Sequence, residues 1–236
     1  MGKRGPKPRE KVKIKWSPNF AYAIGLLATD GCLSGDGLLI DLTSKDKEQL
    51  KNYSKCLGLN YKIGTKFNNR GDLSFRIQFK NRLFYDFLLS IGLTPRKSLT
   101  MGSLGVPNKY FFDFLRGCFD GDGCSYSYWD PRWKSSFMFY ITFASGSKNF
   151  IFWLQEEIYK NVEIRGHVAI STNKVNPYYQ LKYAKRDGLE IIKKMYYNPN
   201  VICLSRKFFK IKKALNLDKK QQDKYAQVEK LANSLP

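Results

Sequence analysis

Acidic residues are scarce in this chain: 236 residues carry 20 Asp and Glu against 41 Lys and Arg, a formal charge of +21. That excess calls for a polyanionic partner, and nucleic acid is the first candidate, because neutralising phosphates releases counterions whatever the base sequence. Histidine is scarcer still. The single one, His167, excludes His-rich metal sites and leaves no pair for histidine-dependent hydrolysis. The five cysteines (Cys32, Cys56, Cys118, Cys124, Cys203) form no C-x-x-C pair, which excludes a structural zinc site and reads as reduced, buried thiols. No P-loop, dinucleotide fingerprint or G-x-S-x-G elbow is present. Long apolar runs are absent too: stretches such as Ala21–Ala28 fall far short of the ~20 residues that span a bilayer. The start, Met1-Gly-Lys-Arg-Gly-Pro-Lys-Pro8, has no apolar leader, and its prolines disfavour a basic amphipathic membrane helix. The expectation is an intracellular protein, in a prokaryotic cytoplasm or an organelle, with no membrane partner.

What is present is a core and a repeat. Hydrophobic residues make up 43% and aromatics 15% of the chain, enough to bury a substantial interior. Ala23-Ile-Gly25-Leu-Leu-Ala-Thr-Asp30-Gly31 returns as Leu115-Arg-Gly117-Cys-Phe-Asp-Gly-Asp122-Gly123, with both the Gly and the Asp pairs offset by 92 residues. In the first half a strand at 38–43 leads through Ser44-Lys45-Asp46 to an amphipathic helix at 47–57. Strands near 62–68 and 73–80, a helix at 83–91 and Pro95-Arg96-Lys97 follow. The second half repeats the order: a strand at 137–143, Ser147-Lys148-Asn149, a helix at 150–159, strands near 163–173 and 178–185, a helix at 189–196, then Ser205-Arg206-Lys207. The pattern predicts an α+β protein built from a duplicated α-β-β-α-β-β-α unit with pseudo-two-fold symmetry. The expected divisions are a basic arm (1–15), a first repeat (16–104), a second repeat (105–215) and a Lys-rich, helix-compatible tail (216–236).

The strands alternate. In Leu73-Ser-Phe-Arg-Ile-Gln-Phe-Lys80 the apolar set Leu73, Phe75, Ile77 and Phe79 faces a core, leaving Ser74, Arg76, Gln78 and Lys80 on the other side. The same split exposes Lys62, Lys66, Asn68 and Arg70 in the first half, and Arg165, His167, Ser171, Asn173, Gln180 and Lys182 in the second. These rows are nearly devoid of acids, unlike an ordinary solvated face. Arg and Lys suit guanine edges and phosphates, Gln and Asn suit adenine. Tyr126, Tyr128, Trp129 and Trp133 in the longer hairpin of the second half suit either base stacking or packing. Lys3–Pro8 reads as a minor-groove arm or a solubilising tail.

The paired nonapeptides resemble the LAGLIDADG motif, and residues 17 to 215 resemble a single-chain, two-repeat LAGLIDADG homing endonuclease. The resemblance implies two curved antiparallel sheets forming a saddle on double-stranded DNA. It also implies a monomer, a target of roughly 20 bp, and a staggered cut dependent on Mg²⁺, with Ca²⁺ supporting binding without cleavage. It assigns catalysis and metal binding to Asp30 and Asp122, aided by the backbone carbonyls of Thr29 and Gly121. Lys97 and Lys207 match the late basic residue, and Ser44 and Ser147 stand where a water-ordering amide is common. Such proteins are encoded in mobile introns or inteins. An RNA-binding intron maturase and a non-cleaving DNA-binding regulator are the alternatives.

The motif's physics reads independently. Ser17-Pro18 starts a helix as N-cap and first-turn proline, and Asp30-Gly31 ends it, with Gly31 available for a left-handed C-terminal turn. Gly25 and Gly117 permit close helix–helix approach, which would bring both negative helix ends and both acids together. Asp120, at the sixth motif position where the first copy has Ala28, suits capping or positioning its helix.

Overall fold

The computed structural model describes residues 12–35, 38–67, 71–133, 136–171 and 177–232, with side chains to residue 219. Ser17 caps helix α1 (Pro18–Thr29), its Oγ accepting from Phe20 N at 3.1 Å, and Pro18 occupies the first turn. Strands β1 (Gly31–Leu33) and β2 (Leu39–Ser44), helix α2 (Lys47–Leu57), strands β3 (Gly64–Phe67) and β4 (Leu73–Lys80), and helix α3 (Arg82–Ser90) complete the first repeat. After a 3₁₀ turn at Asn108–Tyr110, the second repeat runs α4 (Phe111–Asp122), β5 (Cys124–Trp129), β6 (Phe137–Ser145), α5 (Lys148–Val162), β7 (His167–Ser171), β8 (Tyr178–Ala184) and α6 (Lys185–Met195). Helix α7 (Ser205–Ala232) runs from the Ser205-Arg206-Lys207 segment through the Lys-rich tail as one piece.

Two four-stranded antiparallel sheets result, ordered β1-β2-β4-β3 and β5-β6-β8-β7. The α+β duplication expected from the repeat is therefore the architecture of the molecule. Helices α1 and α4 lie against each other at its centre. Phe20 to Ala28 are all buried, which explains why α1 is apolar all round rather than along one stripe. Each sheet turns one face to this interior through Ile40, Leu42, Ile77 and Phe79 in one half and Phe139, Ile141, Phe143 and Leu181 in the other.

A second junction ties the repeats together, one that sequence periodicity does not reveal. The start of α7 docks on α2: Ser205 donates from N and Oγ to Glu48, Arg206 pairs with Asp46 at 2.6 Å, and Asn52 Nδ2 donates to Cys203 O at 2.9 Å. Arg116, 1% exposed, donates to Asp113 Oδ1, Met195 O and Ile202 O beneath it. The expectation of buried thiols fails for most of the cysteines. Only Cys118 is buried, whereas Cys32 and Cys124 are exposed because each sits on the open face of its sheet just after the helix end. No described helix is long and apolar enough to cross a membrane.

Candidate active site and nucleic-acid interface

The ends of α1 and α4 converge. A Cβ built on Gly25 would stand 2.2 Å from Phe114 O and 2.9 Å from Gly117 Cα, and one on Gly117 would stand 2.2 Å from Tyr22 O. One turn further on, a Cβ on Gly121 would lie 2.0 Å from Thr29 Oγ1 and 3.3 Å from Asp30 Oδ2. The two motif acids thus occupy adjoining helix C-termini. The left-handed turn expected at Gly31 is absent: the described glycines with positive φ are Gly58, Gly71 and Gly92. Gly31 and its counterpart Gly123 are needed for space instead. A Cβ there would fall 2.5 Å from Leu27 O or 2.6 Å from Phe119 O as the chain turns back from helix into strand.

Desolvation raises both acids, and repulsion by its neighbour raises Asp30 further. Burial, then the neighbouring Asp122 carboxylate, push Asp30 up to about 6, while the Gln49 hydrogen bond and both lysines oppose the rise. Asp122 is raised by burial against the pull of Lys97 and Lys207, and no described residue donates a hydrogen bond to it. Lys97 is 6% and Lys207 8% exposed, and burial lowers the pKa of both. Lys97 Nζ donates to Thr29 O at 3.0 Å, and Lys207 Nζ to Phe119 O, Gly121 O and Gly123 O at 2.7–2.8 Å. Each buried lysine therefore caps one helix C-terminus, where its charge meets the negative dipole end. The carbonyls of Thr29 and Gly121, assigned to a metal by resemblance, here already accept hydrogen bonds from Lys97 and Lys207.

The water-ordering positions divide. Ser44 is at the centre: its Oγ donates to Gln49 Oε1 at 2.9 Å, and Gln49 Nε2 donates to Asp30 Oδ2 at 2.5 Å. Ser147 is not; it is the buried N-cap of α5, and its hydroxyl donates to Met101 O. The structural counterpart of Ser44 is Ser145, the last residue of β6, which accepts from Ser147 N at 3.1 Å as Ser44 accepts from Asp46 N at 3.1 Å. Ser147 therefore lies two residues beyond the position equivalent to Ser44 and matches Asp46, the N-cap position of α2.

Gln49 was missed by sequence reasoning. It is 1% exposed on α2, and its spacing to the buried Leu50, Tyr53 and Leu57 places it beside the inward stripe of that helix. A polar residue there is the signal that would have found it. Its counterpart in α5 is the buried Phe150, so only one of the two acids has an amide partner. Asp120 is a positioning residue: Oδ2 accepts from Tyr22 OH at 2.7 Å and Leu204 N at 2.6 Å, joining α4 to α1 and to the start of α7.

The open sheet faces carry most of the expected polar rows. Strand register puts Lys66, Ser74, Arg76, Gln78 and Lys80 on one face of the first sheet, and His167, Ser171, Gln180 and Lys182 on one face of the second. Lys62 is exposed just before β3. Asn68, Arg70 and Asn173 lie outside the described residues, as does the arm at 1–11. Arg165 is placed elsewhere: it precedes β7, pairs with Glu156 of α5 at 2.6 Å and lies over the Tyr159 ring. Leu73, expected in the core, is 45% exposed at the start of β4.

The aromatics of the long hairpin separate by face. Tyr126 and Tyr128 stack on Tyr140 (5.0 and 6.3 Å) on the open side, whereas Trp129 packs on Phe137 and Trp133 is exposed in the connection. Among the described strand residues the expected near-absence of acids holds with one exception, Asp41 on β2, opposite Gln78. A trough lined by Cys32, Asp41, Thr43, Lys66 and Gln78 leads from the first sheet to Asp30.

No protein-family model and no curated protein sequence matches the chain. Solved structures do. The I-LtrWI LAGLIDADG homing endonuclease bound to target DNA superposes with a TM-score of 0.53 at 14% identity, covering 93% of this chain and 98% of that one. This chain shares the LAGLIDADG homing endonuclease fold. The meganuclease I-SmaMI, bound to uncleaveable DNA, superposes on this chain with a TM-score of 0.53 at 12% identity over 78% of this chain and 85% of its own. Full-length DUF199/WhiA from Thermatoga maritima has the same TM-score at 13% identity over 95% of this chain and 72% of its own.

Proposed function

We propose that the chain is a sequence-specific endonuclease of double-stranded DNA, acting as a monomer on a long pseudo-palindromic or asymmetric site and making a staggered, divalent-metal-dependent cut. The observation that carries this reading is the meeting of Asp30 and Asp122 at two abutting helix ends, with a buried lysine on each. Both motif copies lie in one chain and pack on each other, which is what a monomeric enzyme requires.

The residues present fit a hard cation. Two carboxylates whose pKa values are raised by burial, one of them further by its neighbour's charge, gain from a positive ion between them, and their ligands are oxygen. Among the described residues no group of three or more His, Cys, Asp and Glu is placed to hold a metal, so scissile phosphates and waters would complete the shell. Bound there, Mg²⁺ would supply an activated water and stabilise the leaving oxygen, whereas Ca²⁺ is expected to support binding only. Gln49 holds Asp30 Oδ2 in a fixed orientation. Lys97 and Lys207 place positive charge beside both acids without forming a competing contact to either carboxylate. The polar sheet faces supply groove contacts.

The deciding experiment enriches randomised duplexes on the protein in Ca²⁺ and transfers the recovered pool to Mg²⁺. A consensus about two helical turns long that is then cut supports the proposal. Binding without scission overturns the enzyme reading, and enrichment of structured RNA in place of duplexes overturns the substrate. Affinity is also expected to fall by orders of magnitude between about 50 and 200 mM salt. A flat response would exclude phosphate-dominated docking.

Gln49→Leu tests the amide. Its hydrogen bond lowers the pKa of Asp30, so its loss should move the acid limb of the cleavage profile to higher pH and reduce the rate about tenfold or more at neutral pH. A rate loss with an unmoved limb would make Gln49 a packing residue.

A further inference from the structure

The structure points to Asp41 as a specificity-determining residue that couples Arg76 and Gln78 into one reading unit; this rests on the DNA-binding proposal. Asp41 is the only acid among the described strand residues of either open face. On a surface built to approach phosphates, that carboxylate opposes binding. Its contribution to the fold is modest, because the pair is only half-buried, with Arg76 29% and Asp41 16% exposed. Its contacts nonetheless use both oxygens. Thr43 Oγ1 donates to Oδ1 at 2.8 Å, while Gln78 Nε2 and Arg76 Nη2 approach Oδ2 at 3.1 and 3.3 Å.

These bonds decide which groups remain for a ligand. Gln78 spends one N–H on Asp41 and keeps its other N–H and its carbonyl, the donor and acceptor that adenine N7 and N6 require. Arg76 turns one Nη toward the carboxylate as an ion pair and keeps the donors of its fork for guanine O6 and N7. Without the carboxylate both side chains would swing freely, and Arg76 would contact whichever phosphate lay nearest.

Arg76 and Gln78 are two residues apart on β4, roughly 6.7 Å, or about two base steps at 3.4 Å. The class of substrate follows: a half-site with two purines within about two steps. The second sheet has Thr142 in place of Asp41, facing Lys182, so the other half-site should be read by a different rule. The trough that joins Asp41 and Gln78 to Asp30 places this unit toward the cleavage centre rather than at the outer end of the half-site.

The test compares the consensus recovered in Ca²⁺ by the wild type, Asp41→Ala, Arg76→Ala and Gln78→Ala. Asp41→Ala is expected to lose about tenfold or more of purine discrimination at both positions at once. Its affinity for unrelated duplex should not fall, and its salt slope should steepen by about one as the freed Arg76 meets phosphate. Arg76→Ala and Gln78→Ala should each lose one position. An Asp41→Ala consensus identical to the wild type, or weakened evenly along the site, overturns the inference while leaving DNA binding intact. Failure of the wild type itself to recover any consensus overturns the parent proposal, and is seen without a variant. Urea midpoints establish that Asp41→Ala folds, and Asp41→Asn, equal in shape but not in charge, is expected to show the same paired loss.

Discussion

Replacing Asp30 by Asn is expected to abolish double-strand cleavage, by about 10³-fold or more, and to make the protein more stable. The two effects have one cause. Asp30 is held half-buried, beside Asp122, at a helix end whose dipole is also negative, and its pKa rises from 3.8 to about 6. The folded state therefore binds this proton more tightly than the unfolded one. The stabilising contribution is fully present below pH 3.8 and is lost as pH rises through about 6, so acidification from pH 7 to 5 should stabilise the metal-free protein. Asn removes the penalty and should raise stability near pH 7 by about 1–3 kcal/mol, or a few degrees in Tm, with the gap to wild type closing toward pH 4.

Millimolar Mg²⁺ should stabilise the wild type at pH 8 and much less at pH 5, because protonated acids are poor ligands. Thermal melts of both proteins at the two pH values, with and without Mg²⁺, read all of this. Asp122→Asn should act in the same direction but more weakly, since that acid is raised too but stands exposed at the end of α4. Full cleavage by either variant would remove the pair from catalysis, and an unchanged melting curve would show that the site stores no electrostatic strain.

Gly25→Ala or Gly117→Ala is expected to cost about 3–5 kcal/mol, a large part of the stability of a domain of this size. The added methyl at either position meets backbone at 2.2 Å, not the movable end of a side chain. Relief requires the helix pair to separate, which withdraws Thr29 from Gly121 and Asp30 from Asp122 at the next turn. Cleavage should therefore fail even where the variant still folds. Gly102→Ala is the control: nothing lies within 4 Å of its Cβ, and the change should stay within about 0.5 kcal/mol. Urea midpoints decide the matter, and a Gly25→Ala protein as stable as wild type would mean that the helices do not pack through these residues.

The polar rows show where reading by sequence succeeds and where it stops. Alternation along Leu73–Lys80 is local, because successive side chains of a strand must point to opposite faces, and it assigned Arg76, Gln78 and Lys80 to one side correctly. Asp41 joins them from a strand more than thirty residues away in sequence, through a register set by packing. Arg165 was assigned by extending the same alternation past the end of β7, where the backbone is no longer a strand and Glu156 claims the side chain.

Ser147 shows the same limit in another form. Its Ser-Lys context matches that of Ser44, yet N-capping and a bond to Met101 O use its hydroxyl. A two-residue shift between repeats is invisible when the matched residues are so common.

By itself the sequence determined the duplication, the order and type of the elements, the paired Gly and Asp positions, and the basic character of the surface. Each of these follows from short-range spacing or from composition, which no tertiary contact needs to supply. Tertiary structure alone decided that Gln49 reaches Asp30, that Lys97 and Lys207 cap the helix ends, that Asp41 organises Arg76 and Gln78, and that α7 clamps onto α2. Those bonds join residues from 19 to 160 positions apart. Their partners are chosen by which side chains the packed helices and sheets bring within 3.3 Å of one another, a selection that no local propensity encodes.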